Sequence, residues 1–382
     1  MSDKPDQNDA IDSVVQDSDE LIALRKKIDE CDQQIQSLIQ DRVNVAANIA
    51  KAKLAIDSKA SFYRPEREAQ VLRKVRERNE TLREEHGGIV SDDEMVRLMR
   101  EIMSISLAAE MPMTVAYLGP EGTYTQAAVI KHFGQAVRHL DVKTIADVFR
   151  VVEQGKAHFG VVPVENSTEG VISSTLDCFA ASKLKVCGEV QLPINHQLLS
   201  NADGLTAVKK VYAHPQALAQ CRKWLERYLP DAEQFSASSN AEAAIIASKN
   251  SDTASIAGDI AAVLYDIKVL ASSIEDEPNN TTRFLIVGDN SYASSGLDKT
   301  TIMVSTQNRV GSLFELLKPL YDNGVDMSRI ESRPSKQTNW DYVFFIDLNG
   351  HVDDPNVSKA LHDLKAQSAF FKLIGSYPVG VL

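Results

Sequence analysis

The stretch LIALRKKIDECDQQIQSLIQDRVNVAANIAKAKLAI, residues 21–56, decides the N-terminal fold. Its apolar residues fall alternately three and four apart: Leu21, Leu24, Ile28, Cys31, Ile35, Leu38, then Val45, Ile49, Ala52 and Ile56. That is a heptad stripe, the mark of one long helix. About 36 residues at 1.5 Å each give roughly 54 Å, more than one small domain covers, so the stripe calls for a partner such as a second copy of the chain. Arg42 stands where the next apolar residue is due, four after Leu38 and three before Val45. A lone buried cation is costly, so Arg42 should meet an anion or a carboxylate. Lys53 returns to within about 20° of the same face at about 100° per residue, whereas Arg25 points about 100° away and suits a site on the partner helix.

Working outward, a second helix starts at Pro65, a favoured first-turn residue, and carries Val71, Leu72, Val75 and Leu82 before His86-Gly87-Gly88 ends it. Ser91 with Glu94 forms a capping box, and Met95, Leu98, Met99, Ile102, Ile105 and Ala109 line a third helix. Residues 19–110 thus read as all-α, behind an acidic, solvated tail at 1–18. Arg67 beside Glu66 or Glu68 reads, taken singly, as a solvated helix face.

Leu21 to Arg25 (Leu-x-x-Leu-Arg), Asp41-Arg42, Lys51-Ala52-Lys53 and Arg67-Glu68 together resemble the all-helical chorismate mutases over residues 21–110. The resemblance implies an intertwined helical dimer in which Arg42, Lys53, Arg67, Glu68, Ser106 and Glu110 of one chain meet Arg25 of the other. Such a set suits a pericyclic rearrangement, which needs a folded conformer and stabilised charge on the breaking ether oxygen, not a nucleophile. Arginines match the two substrate carboxylates and Lys53 the ether oxygen. Glu110 stands where some members carry Gln, which implies a protonated carboxyl there and mutase activity that weakens as pH rises.

After Met111-Pro112-Met113 the pattern changes. Strand-like runs at 114–118, 159–164, 185–192, 210–213, 253–257 and 284–287 alternate with helical ones, which predicts parallel α/β lobes. Gly119-Pro120-Glu121-Gly122-Thr123 is a turn whose N–H groups could hold an anion, but without the G-x-G-x-x-G spacing it disfavours a dehydrogenase. Glu165, Asn166 and Ser167 lie just past one strand, and 279–283 just before another; strand ends are where α/β ligands sit. Each cluster taken singly is better explained by ordinary helix capping, by Asn166, Ser167 or Thr168. Gly119 to Thr125, Val164-Glu165-Asn166-Ser167, His214-Pro215-Gln216-Ala217 and Thr282-Arg283-Phe284 together resemble the prephenate dehydratases over 114–288. This implies two lobes like those of periplasmic binding proteins, Thr282 as hydrogen-bond donor to the departing hydroxide, and Glu165, Asn166, Ser167 and Gln216 positioning substrate. Arg283 would bind a carboxylate or brace the loop.

Tyr292 to Leu297 reads as a linker, and the tail follows the α+β, ferredoxin-like order βαββαβ over 299–380. Its Gly311-Ser312-Leu313-Phe314 and Glu331-Ser332-Arg333-Pro334 resemble the ACT regulatory domains of dehydratases, implying that Gly311, Ser312, Leu313, Glu331, Ser332 and Arg333 serve a phenylalanine site between paired domains. The first motif departs from the usual Gly-Ala-Leu-Val at two positions.

Composition sets the outer bounds. The 382 residues carry a net charge of −12, which argues against a nucleic-acid partner. No run reaches the roughly 20 apolar residues of a membrane span and the N-terminus lacks an apolar leader core, so a cytoplasmic chain is expected. Cys31, Cys178, Cys187 and Cys221 show no metal or disulfide spacing and read as buried thiols, with neither metal nor organic cofactor implied. The combined expectation is three modules, at 19–110, 114–290 and 299–380, converting chorismate to prephenate and prephenate to phenylpyruvate under phenylalanine control. A homodimer or tetramer would form. The rivals are a noncatalytic metabolite sensor and an enzyme acting on arogenate.

Overall fold

The computed structural model describes residues 19–57, 62–306, 309–334 and 342–381, so the 1–18 tail lies outside the described residues. The chain divides into two compact units, 1–60 and 61–382. The first unit contributes helix α1 (Asp19–Ile56, 38 residues). Its stripe is open: Ile28 is 60% exposed, Ile35 54%, Leu38 67% and Val45 58%. Cys31, expected to be a buried thiol, is exposed because it belongs to this stripe, whereas Cys187 and Cys221 are buried.

The second unit begins with helices α2 (Pro65–His86) and α3 (Asp92–Glu110). Gly87, at φ 64°, ends α2 by donating to the Arg83 carbonyl, and the Ser91–Glu94 capping box starts α3. Leu72, Val96 and Met103 form their shared core.

The two-lobed segment follows. Lobe one holds β1 (Thr114–Leu118), α4 (Tyr124–Phe133), β2 (Arg138–Val142), α5 (Ile145–Glu153), β3 (Phe159–Asn166), β4 (Gly170–Val171), α6 (Ser173–Ala181) and β5 (Lys185–Pro193). Lobe two holds β6 (Gln197–Ser200), β7 (Lys210–Ala213), α7 (Pro215–Gln220), α8 (Arg222–Tyr228), β8 (Glu233–Ser236), α9 (Asn240–Ser248), β9 (Thr253–Ala257), α10 (Asp259–Leu264) and β10 (Val269–Ala271). The chain then returns to lobe one through β11 (Thr281–Gly288), giving sheet orders β2-β1-β3-β11-β5 and β10-β6-β9-β7-β8. Neither sheet is purely parallel, contrary to the sequence expectation. β11 enters antiparallel to both β3 and β5 because it arrives from the opposite end of the sheet, and an apolar run carries no sign of direction.

The C-terminal module is β12 (Asp298–Ser305), α11 (Ser312–Asp322), β13 (Met327–Pro334), β14 (Tyr342–Asn349), α12 (Pro355–Gln367) and β15 (Phe370–Pro378), an antiparallel sheet ordered β13-β14-β12-β15. Alternation splits its faces. Ile302, Val304, Phe344 and Ile346 pack with residues of α11 and α12. Met303, Phe345 and Tyr377 share one core with Val162, Val164 and Leu285 of lobe one. The run 292–297 is no loose linker: Ser295 and Gly296 N–H groups donate to Asp298 Oδ2, and Arg73 of α2 donates to the Ser295 and Leu297 carbonyls. Short side chains let the backbone wrap these acceptors.

Between β15 and β5 the backbones touch. A Cβ built on Gly375 would fall on the Val186 carbonyl, inside any allowed contact. Gly375→Ala is therefore expected to destabilise the chain by about 1–3 kcal/mol in urea unfolding, while Gly204→Ala, with nothing within 4 Å of its Cβ, changes it by less than about 0.5 kcal/mol.

Candidate functional site

β3 and β11 run side by side to the cleft, and their ladder places Thr282 opposite Asn166. Both strands extend further than their apolar runs suggested: Glu165 and Asn166 belong to β3 and Thr282 and Arg283 to β11, so these residues are set by sheet geometry, not by loops. Asn166 Nδ2 donates to Thr282 Oγ1 at 2.8 Å and to Asn280 Oδ1 at 2.8 Å. Its own Oδ1 accepts from the Thr168 and Glu169 N–H groups, both at 3.1 Å, and from Thr168 Oγ1 at 2.6 Å. Three donors on one oxygen fix which way the amide faces. Thr282 Oγ1 thus serves Asn166 as acceptor and keeps its own hydrogen for another group. Asn166 and Thr282 are 7% exposed and Asn280 is 4%, whereas Ser167, Thr168 and Glu169 at the strand end are exposed. Ser167 joins through the Thr281 N–H, which donates to its Oγ at 2.9 Å.

The second lobe faces this cluster through α7. Gln216 is half-buried on its first turn, and its N–H donates to His214 Nδ1. The side chain that reaches lobe one is Gln220, whose Nε2 donates to Thr168 Oγ1 at 3.4 Å and Glu169 Oε1 at 3.3 Å. Gln220 went unnoticed in the sequence, where one turn beyond Gln216 on the same helix face was the available signal, and Asn280 was read only as part of the polar run 279–283. Two N–H groups of the Gly119–Thr123 turn are engaged within the fold: the Gly122 N–H donates to Gln126 Oε1 and the Gly119 N–H to the Val142 carbonyl.

Arg283 points elsewhere. Being next to Thr282 in a strand, it faces the other side of the sheet. Its Nε donates to Glu189 Oε2 at 2.8 Å, Nη1 to Asp347 Oδ2 at 2.5 Å and Nη2 to Tyr377 Oη at 2.9 Å. Burial works against its charge, but Tyr377, Asp347 and Glu189 outweigh it and raise its pKa. Arg283 thus ties β11 to β5 and to the C-terminal sheet, on the face opposite the Thr282 cluster. Arg333 behaves likewise: Nη1 donates to the Ser173 carbonyl at 2.7 Å and Nη2 lies 3.5 Å from Asp177, turning it toward α6 and not toward the start of α11. Glu331, two residues away, shares its face; Ser332 takes the other. Gly311 caps α11 at φ 80°, and Ser312 and Leu313 open that helix at the surface, with Leu313 40% and Phe314 73% exposed.

Arg25, Arg42 and Lys53 all lie on α1, with Arg42 and Lys53 half-buried. In the second unit Arg67 is exposed, Glu68 pairs with Arg100, Ser106 Oγ donates to the Ile102 carbonyl, and Glu110 is half-buried at the end of α3. Arg100 was missed, although it sits four after Val96 and three before Met103, the same cation-at-an-apolar-position signal that marked Arg42. Nearby, Tyr63 and His132 bond through Oη and Nε2 at 2.8 Å, inside a ring cluster with Phe133 and Phe159.

Comparison with known proteins divides the chain along similar lines. Family models described as chorismate mutase type II, prephenate dehydratase and ACT domain match residues 24–111, 115–292 and 300–366. A bifunctional chorismate mutase/prephenate dehydratase of Stutzerimonas stutzeri is 48% identical over 370 residues, covering 96% of this chain and 100% of that protein. One from Pseudomonas aeruginosa is 47% identical over 373 residues, with 96% and 100% covered. A solved prephenate dehydratase of Arthrobacter aurescens, in complex with L-Phe, aligns with TM-score 0.65 at 34% identity, covering 69% of this chain and 90% of that one.

The Tyr63–His132 contact has a measurable signature. Burial, then the nearby Arg100 charge, hold the His132 pKa well below its ordinary 6.5, so the unfolded chain binds a proton there before the folded one does. Stability contributed by neutral His132 is complete above about pH 6.5 and falls as pH drops below it, by at most about 1.4 kcal/mol per pH unit. Unfolding midpoints between pH 5 and 7 should flatten in His132→Gln relative to the parent; equal slopes would mean other groups titrate there.

Proposed function

The chain belongs to the bifunctional chorismate mutase/prephenate dehydratases, with an ACT regulatory domain, and we propose that the cluster around Asn166 and Thr282 is its dehydratase site. The observation that carries this reading is the bond from Asn166 to Thr282, both buried, where β3 and β11 meet the cleft. Prephenate loses its ring carboxylate as CO₂; the electron pair of that bond moves through the ring and expels the C4 hydroxyl, which leaves as water after gaining a proton. Aromatisation supplies much of the drive. Thr282 directs its hydrogen to the departing oxygen, and because a threonine hydroxyl is a poor acid, it acts by hydrogen bonding in a desolvated site instead of by full ionisation. Asn166 fixes the hydroxyl; Asn280, Ser167, Gln216 and Gln220 frame the substrate.

For the mutase step, Arg42, Lys53, Arg67, Glu68, Ser106 and Glu110 are assigned with Arg25 of a second copy. The open stripe of α1 supports a homodimer, since a solvated apolar face of that length favours burial against its like. Glu110 acts in its protonated form. L-Phe, present in the Arthrobacter aurescens structure, is taken as the effector of this chain's ACT domain, near Gly311, Ser312 and Leu313. Val310 is fully exposed and β13 is an edge strand, as pairing of two ACT domains would require. Net charge of −12, and the lack of a helix long and apolar enough to cross a membrane among the described residues, fit a cytoplasmic enzyme.

A coupled time course tests the assignment. Chorismate should disappear and phenylpyruvate accumulate, with phenylalanine slowing the second step; survival of chorismate beside consumption of added prephenate would remove the mutase reading. Thr282→Val should lower dehydration by at least about 100-fold while leaving chorismate turnover unchanged. Mutase rates should decline above neutrality in the parent and level out in Glu110→Gln; a flat parental profile would rule out the protonated Glu110.

A further inference from the structure

Glu165 and Arg283 lie opposite each other across β3 and β11, and Arg329 and Asp347 lie opposite each other across β13 and β14. The two pairs are joined crosswise between domains. Arg283 Nη1 bonds Asp347 Oδ2 at 2.5 Å, and Arg329 Nε lies 2.9 Å from Glu165 Oε2. Four charges of alternating sign therefore make a square whose two edges between the sheets are ion pairs and whose edge in each sheet is a cross-strand pairing. Asp347 is 3% exposed and the side chains of Arg283 and Arg329 are 12% and 13% exposed, so water screens the Arg283–Asp347 contact little, while the Glu165 side chain, 36% exposed, leaves the Arg329–Glu165 contact partly open to solvent.

Neither sheet would make this square with a regular ladder. On β3 the register steps from Pro163 opposite Phe284 to Glu165 opposite Arg283, skipping Val164. On β13 it steps from Met327 opposite Leu348 to Arg329 opposite Asp347, skipping Ser328. An unbroken register would set Val164 against Arg283 and Ser328 against Asp347, and Glu165 would face Thr282. Bulges re-aim side chains. The one on β3 does two things at once: it turns Glu165 to the ACT sheet and brings Asn166 opposite Thr282.

We propose that this charge square is the link through which the ACT sheet sets the placement of Asn166 and Thr282, with Glu165, Arg283 and Arg329 as positioning residues and not substrate contacts. Glu165 and Arg283 are each the strand neighbour of one member of the Asn166–Thr282 pair, so any shift of Arg329 or Asp347 is passed to that pair through one peptide unit. The nitrogens of Arg283 are all engaged with Glu189, Asp347 and Tyr377, which leaves no fork to hold a carboxylate of prephenate. This inference rests on the assignment of Asn166 and Thr282 to the dehydratase site.

The test uses the full chain with Arg329→Met, Glu165→Gln and the double variant, measuring kcat and KM for prephenate with and without phenylalanine, and chorismate turnover as the check of folding. Either single change should raise the phenylalanine concentration for half-inhibition at least tenfold with KM for prephenate within twofold of the parent. The double variant should be no worse than either single one, and Arg329→Lys should retain the response. Should Arg329→Met lose chorismate turnover, Asp347→Asn tests the same square. A rise in KM in Glu165→Gln with an unaltered phenylalanine response in Arg329→Met would make Glu165 a substrate contact and overturn the proposal. Full dehydration by Thr282→Val would instead remove the site assignment on which it rests.

Discussion

The antiparallel pairing of β11 with β3 is the constraint on which the remaining structure depends. The chain leaves lobe one after β5, builds the whole of lobe two and must come back to fill the gap between β3 and β5. That return makes the cleft, because two crossings now join the lobes; the Ile194 N–H donating to the Asn280 carbonyl ties them together. It also makes the site. Residues more than a hundred apart in sequence become cross-strand neighbours, and one hydrogen bond joins Asn166 to the Thr282 hydroxyl.

Much of this was legible in the chain, and the reasons are local. The heptad stripe, the Ser91 capping box, the Gly87 stop and the βαββαβ order all depend on residues within a few positions of each other, and the structure has them. The stripe of α1 was read from its three-and-four spacing, and its need of a partner from its length. Thr282, Asn166 and Ser167 were named through family motifs, and the fold brings them together. What escaped were contacts that only long-range pairing creates. Nothing near Arg283 in sequence announces Asp347 or Tyr377, and nothing near Arg333 announces Ser173. The two bulges were invisible for the same reason, since register belongs to a pair of strands and not to either one. The direction of β11 was misjudged because a strand buried on both faces reads alike in either orientation.

The seam between the ACT sheet and lobe one combines apolar packing with a near-neutral set of buried charges. Lys299 and Arg283 both reach Glu189, which is 2% exposed, while Asp347 accepts from Arg283 and from Thr301 Oγ1. Ionic groups of this kind stabilise little on balance, since desolvation offsets their attraction, but removing one partner strands another at a cost of about 3–5 kcal/mol. A seam so built tolerates few geometries. That selectivity is what a regulatory domain requires of its attachment to an active site.

The staple from Arg73 to Ser295 and Leu297, with Tyr63 set among Phe133 and Phe159, bears on how such a chain came to be one molecule. Helices α2 and α3 share a single body with the lobes, so the joint between mutase and dehydratase sequences is not a joint between folding units. Severing the chain between Glu110 and Thr114 would strip aromatic surface from both halves. The fusion is more than a tether: Tyr63 from the mutase segment packs among rings of the dehydratase segment, and separating the two would open that surface to water.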